Sequence, residues 1–123
     1  MTDSIRVLIV DDHDMLRKGI ATMLYAIPDL ELVGEASSGS EAIDVCASLN
    51  PDVVLMDLMM PEMNGATAIR HILNNQPQTR IVVLSSFAEH DLIKSALEAG
   101  ASGYVLKNIS ADKLANAVRM AKQ

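Results

Sequence analysis

Five short runs rich in Val, Ile and Leu alternate along the chain with five amphipathic helical windows, and this alternation restricts the fold more than any other feature. Strands that are each followed by a helix are joined by crossovers rather than hairpins, so the pattern predicts βα units and a parallel sheet covered on both faces. The runs are Ile5 to Val10, a weaker edge-type run Leu30 to Ala36, Val53 to Met56, Ile81 to Leu84 and Tyr104 to Leu106. At 123 residues the chain has the size of one domain and leaves no room for a second. A domain of that size buries roughly two thirds of its unfolded surface. Half the residues are apolar but only two Tyr, one Phe and no Trp are present, so the core is expected to be aliphatic.

The helical windows carry their own punctuation. Asp14 is expected to cap a helix with Leu16, Ile20, Met23, Leu24 and Ile27 at three- and four-residue intervals, ending before Pro28. Ser38, Gly39 and Ser40 lead into a second helix that stops near Asn50, because Pro51 biases its predecessor away from the helical region. Pro61 to Gly65 reads as a loop before a helix with Ala66, Ile69, Ile72 and Leu73 inward. Leu92, Ile93, Ala96 and Leu97 mark a fourth helix that Gly100 ends. Ser110 is a candidate cap for a fifth, with Leu114, Val118 and Ala121 inward. The eight methionines fall mostly at apolar spacings or after Asp57 and read as packing.

Asp11 and Asp12, Asp57, Ser85 and Lys107 each directly follow one of these runs. In a parallel sheet that position is the carboxyl edge, where open α/β sheets place their ligand sites. Any one acid at a strand end commonly caps the next helix, but Asp57 is followed by Leu58, Met59, Met60 and Pro61, which offer no helix start. Three carboxylates and one ammonium at one edge point to a divalent cation and a phosphoryl group. Oxygen-only ligands suit Mg²⁺ or Mn²⁺, which accept a phosphate oxygen as a further ligand. An aspartate beside a metal and a fixed cation can act as a nucleophile toward phosphorus, with Lys107 as that cation. His13, His71 and His90 read as surface residues without chemistry.

A net charge of -6, from sixteen acidic against ten basic side chains, disfavours nonspecific attraction to nucleic acid by this chain. Cys46 lies among Ala42, Ile43 and Leu49 at helical spacing and reads as a buried, reduced thiol. The polar stretch Met1 to Arg6 lacks the apolar core of a signal peptide, and no run approaches membrane-spanning length. A soluble, cytoplasmic protein without membrane contact is expected.

Val10-Asp11-Asp12-His13, Leu55-Met56-Asp57-Leu58-Met59-Met60-Pro61, Gly65, Leu84-Ser85-Ser86 and Gly100-Ala101-Ser102-Gly103-Tyr104-Val105-Leu106-Lys107 stand at characteristic spacings. In these the chain resembles, over essentially its full length, the receiver domain of two-component response regulators. Asp-Asp-His and Gly-Ala-Ser-Gly-Tyr look like the NarL/FixJ subfamily, whose members usually carry a C-terminal helix-turn-helix DNA-binding domain. Residues 1–123 are accordingly expected to be a single receiver domain, with no such domain in this chain. The resemblance implies a flavodoxin-like (βα)5 doubly wound sandwich whose five-stranded parallel sheet has the order 2-1-3-4-5.

By the same resemblance, Asp57 accepts a phosphoryl group from a sensor histidine kinase and later loses it slowly, both steps being self-catalysed. Asp12, Asp57 and the backbone carbonyl of Met59 would hold Mg²⁺, with Asp11 acting through a water. Lys107 and Ser85 would contact the phosphoryl group, and Ser85 and Tyr104 would switch conformation. Met59 and Phe87, two residues after Asp57 and Ser85, would tune hydrolysis. A phosphorylation-dependent homodimer is expected, using either the region of Lys94, Glu98, Lys113 and Arg119 or the first helix with Arg17 and Lys18. DNA would be reached only through the missing output domain. Asn108 stands where the family often has a proline joined by a cis peptide, a bond that costs a few kcal/mol without proline.

Three rival readings are weaker. A dinucleotide fold needs a glycine-rich turn after the first strand, where Asp11-Asp12-His13-Asp14 stands. A haloacid-dehalogenase-type phosphatase resembles Asp-x-Asp, but Met59 occupies the second position. An interaction module that takes no phosphate would be favoured by loss of an acid or of the lysine, and all are present.

Overall fold

The computed structural model describes residues 4–60, 63–86 and 90–123. Five strands and five helices alternate as the sequence pattern predicts: β1 (Ile5–Val10), α1 (Asp14–Tyr25), β2 (Leu30–Ala36), α2 (Gly39–Leu49), β3 (Val53–Asp57), α3 (Gly65–Asn75), β4 (Arg80–Ser85), α4 (His90–Ala99), β5 (Gly103–Leu106) and α5 (Ala111–Lys122). All strand pairs are parallel and the order is β2-β1-β3-β4-β5, the flavodoxin-like arrangement. β2 forms one edge and pairs with β1 through a register shift, Val7 opposing Leu32 but Leu8 opposing Gly34.

Alternation along each strand divides the core into two layers. Leu8, Val10, Val54, Met56, Ile81 and Val83 face α2, α3 and α4 through Ala42, Cys46, Ala68, Ile69, Ile72 and Ala96. Val7, Ile9, Val53, Leu55, Val82 and Leu84 face α1 and α5 through Ile20, Leu24, Leu114 and Val118. The central strands are buried on both sides, which is why they read as continuous apolar runs. Cys46 is fully buried and unpaired, and burial pushes its thiol up to about 12, in keeping with a packing role.

Helix boundaries follow local chemistry. Ser38 caps α2 by accepting from the Glu41 amide at 3.1 Å, while Glu41 Oε1 accepts from the Ser37 amide at 2.6 Å. Asn64 caps α3 and Ser110 caps α5. Asp14 differs from expectation: it is the first residue of α1, His13 holds the capping position without a side-chain bond, and Asp14 Oδ1 accepts instead from Arg17 at 2.6 Å. Leu97 is 42% exposed, and of α4 only Ala96 is fully buried. Met15 and Met120 are also exposed rather than packed. No described peptide bond is cis, so Lys107 and Asn108 are joined in trans. Among the described residues no helix is long and apolar enough to cross a membrane.

Gly100 ends α4 at φ +118°, with its amide bonded to Leu97 and that of Ala101 to Ala96, so both orphaned carbonyls are satisfied. A Cβ there would also lie 2.6 Å from Leu73 Cδ1. Gly100→Ala is therefore expected to destabilise the fold by about 1–3 kcal/mol in urea denaturation, the usual cost of such backbone strain. An unchanged midpoint would show that the α4 end relaxes freely.

Candidate functional site at the carboxyl edge

The residues singled out in the sequence meet at one end of the sheet. Val10 opposes Met56 and Asp57 opposes Leu84, so the ends of β1, β3 and β4 lie side by side. The Asp11 amide continues the ladder by bonding to the Ala36 carbonyl at 3.0 Å. The Lys107 amide bonds to the Ser85 carbonyl at 2.9 Å, fixing the lysine beside β4. Asp57 and Ser85 are the last residues of their strands, while Asp11, Asp12 and Lys107 follow theirs.

Asp11 and Asp57 are both fully buried. Asp57 Oδ1 lies 2.9 Å from Lys107 Nζ and accepts from the Met59 amide at 3.1 Å. Asp11 Oδ1 accepts from the His13 amide at 2.8 Å. Among the described residues nothing partners Asp11 Oδ2, Asp57 Oδ2 or Ser85 Oγ, and buried polar atoms in that state are rare outside ligand sites. One ligand atom from each of Asp11, Asp12, His13 and Asp57 lies within 4.8 Å of all the others. The cluster is one that could hold a metal ion, and its donors are those of a hard divalent cation apart from the imidazole.

Burial raises the pKa of Asp57 above the ordinary 3.8, and the charge of Asp11 adds to the effect; the Lys107 ammonium and the Met59 amide oppose it.

Two residues entered the site without a sequence assignment. Arg17 donates from Nη1 to the Asp11 carbonyl at 2.6 Å, from Nη2 to Asp14 and from Nε to Glu35 at 2.9 Å, so it ties α1, β2 and the end of β1 together. Burial works against its charge, but the bonds to Asp14 and Glu35 outweigh that and raise its pKa. Arg17 is therefore engaged within the chain. Arg119 is engaged too, with Asp29 through two bonds of 2.7 and 2.8 Å. His13, read from sequence as a surface residue, has its Nδ1 3.3 Å from Asp11 Oδ1 and 3.2 Å from Asp12 Oδ1. The Asp14–Arg17 spacing hinted at the first role; the second has no signal beyond adjacency to two acids.

Met59 and Tyr104 are each 53% exposed. Phe87 lies outside the described residues, as does Pro61 of the segment after Asp57. A recess of about 270 Å³ lined by Ser85, Ser86, Leu106, Lys107 and Asn108 opens beside the lysine.

This fold with this edge cluster defines a class, and comparison with known proteins agrees. Residues 7–119 match the response regulator receiver domain, and the chain belongs to that family. It is 45% identical over 119 residues to the transcriptional regulatory protein LiaR of Bacillus subtilis, covering 97% of this chain and 56% of LiaR. It is 46% identical over 116 residues to the response regulator protein VraR of Staphylococcus aureus, covering 94% and 56%. The chain thus spans just over half the length of these curated relatives. The signal receiver domain of the response regulator NarL from Mycobacterium tuberculosis superposes with a TM-score of 0.91 at 31% identity, covering 98% of this chain and 97% of that one. These relatives place the chain with the NarL/FixJ receivers.

The buried carboxylates have a thermodynamic signature. A carboxyl whose folded pKa lies above its unfolded value favours the fold most below the unfolded pKa, and that advantage is lost as pH rises through the folded pKa. In metal-free buffer Asp57→Asn is therefore expected to melt higher than the wild type at neutral pH, by a margin that shrinks toward pH 4. A margin independent of pH, or a lower melting temperature at pH 7, would overturn this electrostatic account.

Proposed function

We propose that Asp57 is the phosphoacceptor of this receiver and takes its phosphoryl group from the phosphohistidine of a sensor histidine kinase. The observation that carries the proposal is the state of Asp57: wholly buried, one oxygen held by Lys107 and the Met59 amide, the other without a partner among the described residues. A carboxylate oxygen forms the new P–O bond as the P–N bond breaks, and the histidine nitrogen leaves with the electron pair. Lys107, 2.9 Å from Asp57, stands ready to neutralise charge on the transferring group. Ser85 Oγ, buried and without a partner among the described residues, has a hydrogen bond to donate to a phosphoryl oxygen.

The oxygens of Asp11 and Asp57 that have no partner among the described residues fit a divalent cation, and we assign its binding to Asp12, Asp57 and the Met59 carbonyl, with Asp11 acting through a water. Mg²⁺, or Mn²⁺, would there neutralise the phosphoryl oxygens, and placement plus charge neutralisation is most of what phosphoryl transfer needs.

Phosphorylation is proposed to draw Ser85 inward and to let the exposed Tyr104 turn toward the space it leaves, changing the surface of α4, β5 and α5. A dimer forms in consequence, and the output is transcription, through a DNA-binding domain that LiaR-like regulators would carry beyond the length matched here. A cytoplasmic location follows from that role. An interaction module blind to phosphate has no observation in its favour, whereas the buried Asp57 beside Lys107 and the buried Ser85 support transfer.

Acetyl phosphate with Mg²⁺ is expected to add one phosphoryl group by intact mass and to raise the sedimentation coefficient, while Asp57→Asn takes none. Equal labelling of Asp57→Asn would sink the site assignment, and unchanged sedimentation of the labelled chain would sink the dimer.

Hydrolysis of an aspartyl phosphate needs a water in line with phosphorus, and Met59 offers nothing to hold one. The phosphorylated state should therefore be long-lived; Phe87, the other residue expected to tune hydrolysis, lies outside the described residues. Met59→Asn or Met59→Glu is expected to shorten its half-life several-fold, general placement effects of one side chain being up to about 10²-fold. Unchanged or slower decay in both variants would show that another feature sets the lifetime.

A further inference from the structure

We propose that His13 is a further ligand of the acidic cation site and biases it toward the later first-row cations, Co²⁺, Ni²⁺ and Zn²⁺, relative to Mg²⁺. The inference rests on the reading above that Asp11, Asp12 and Asp57 hold a divalent cation.

His13 occupies the capping position of α1 but makes no side-chain capping bond, so its ring is not committed to the helix. Its Nδ1 instead stands between two carboxylates, 3.3 Å from Asp11 Oδ1 and 3.2 Å from Asp12 Oδ1. Only the approach to Asp11 is aligned as a hydrogen bond; Asp12 Oδ1 has no hydrogen-bond partner among the described residues. A single N–H cannot satisfy both oxygens, whereas a cation held directly by Asp12 Oδ1 and His13 Nδ1, with its bound water on Asp11, answers all three atoms. Donors about 2.1 Å from a metal and at right angles to one another are about 3.0 Å apart, close to the 3.2 Å between His13 Nδ1 and Asp12 Oδ1. Opposite donors are then about 4.2 Å apart, so the 4.8 Å cluster needs to contract by only a few tenths of an ångström per ligand. The buried oxygens of Asp11 and Asp57 that lack a partner among the described residues supply the drive for that contraction.

Chemistry then sets the bias. Mg²⁺ prefers oxygen and keeps its waters, so an imidazole adds little to its binding. Co²⁺, Ni²⁺ and Zn²⁺ accept imidazole nitrogen readily, and affinities for N/O sites rise from Mn²⁺ through Co²⁺ and Ni²⁺ to Cu²⁺ before falling at Zn²⁺. The rival account makes His13 a protonated ion-pair partner of Asp11 and Asp12. Removing it would then free the carboxylates equally for every cation.

The test is calorimetric titration of the chain with MgCl₂ and with CoCl₂ at one fixed pH, for the wild type, His13→Ala and His13→Asn. His13 is 66% exposed, so neither substitution disturbs packing. Both variants are expected to lose at least about tenfold in Co²⁺ affinity, the loss that even an outer-sphere partner of a metal produces, with Mg²⁺ affinity changed far less. The Co²⁺-loaded wild type should also show a strongly shifted, solvent-exchangeable imidazole proton by NMR that both variants lack. Equal shifts for the two cations, no shift for either, or retention of the imidazole signal would overturn the proposal. A wild-type chain that binds neither cation would overturn the acidic site itself and this inference with it, whereas Asp12→Ala losing both cations while the His13 variants keep Co²⁺ would overturn only the histidine's part.

Discussion

Two carboxylates buried side by side at the end of a parallel sheet are the condition on which the rest of this structure depends. Taking a charged group out of water costs several kcal/mol unless something answers it. Here the answer is incomplete: Lys107 and two backbone amides hold one oxygen each of Asp57 and Asp11, and the remaining oxygens have no partner among the described residues. The burial that raises the pKa of Asp57 is therefore a standing cost, and the fold must supply it from elsewhere. It does so with two aliphatic layers in which the central strands are buried on both faces. A site destabilised in its free form is also one that gains most from a cation or a phosphoryl group, which links the cost to the function.

The support is uneven around the sheet. α1 and α5 close one face with six fully or nearly fully buried residues between them, Ile20, Ala21, Leu24, Leu114, Ala115 and Val118. α4 buries only Ala96 fully and packs Leu92, Ile93 and Ala99 partly, while its Leu97 faces solvent. Local stability follows buried apolar contact, so α4 is the helix held least firmly by the core. It follows β4, whose last residue is Ser85, its Oγ without a partner among the described residues, and precedes β5, which carries the exposed Tyr104. The element with the least to lose on moving thus sits between the two residues assigned to the switch.

How much of this was legible in the sequence depends on what kind of contact each residue makes. The strands were legible because two-sided burial writes itself as unbroken Val, Ile and Leu, and the edge strand β2 was weaker for the opposite reason. The site acids and Lys107 were legible because polar residues directly after such runs have few places to go. Depth was not legible: helical spacing assigns a face but not how far it sinks, so Leu97, Met15 and Met120 were read as packed and are exposed. Nor were roles that depend on a third residue. Asn64 as the cap of α3 lay inside an apparent loop, and Asp14 was read as a cap when the pull of Arg17 places it one position into the helix. His13 is exposed, as read, but adjacency in sequence says nothing of its Nδ1 standing beside Asp11 and Asp12.

Arg17 shows most clearly why such roles escape a linear reading. Its three bonds reach the end of β1, the first residue of α1 and the edge strand β2, so one side chain fixes the backbone on which Asp11 and Asp12 are carried. Only a planar fork of several donors can serve acceptors in three directions at once; lysine, a point charge on a flexible stem, would hold the charge but not the geometry. The bond to the Asp11 carbonyl matters most, because it constrains the backbone that carries the fully buried Asp11 and the partly buried Asp12, both members of the cluster. The acidic pair is thus aimed from outside itself, by a cation that contributes no ligand atom to the cluster.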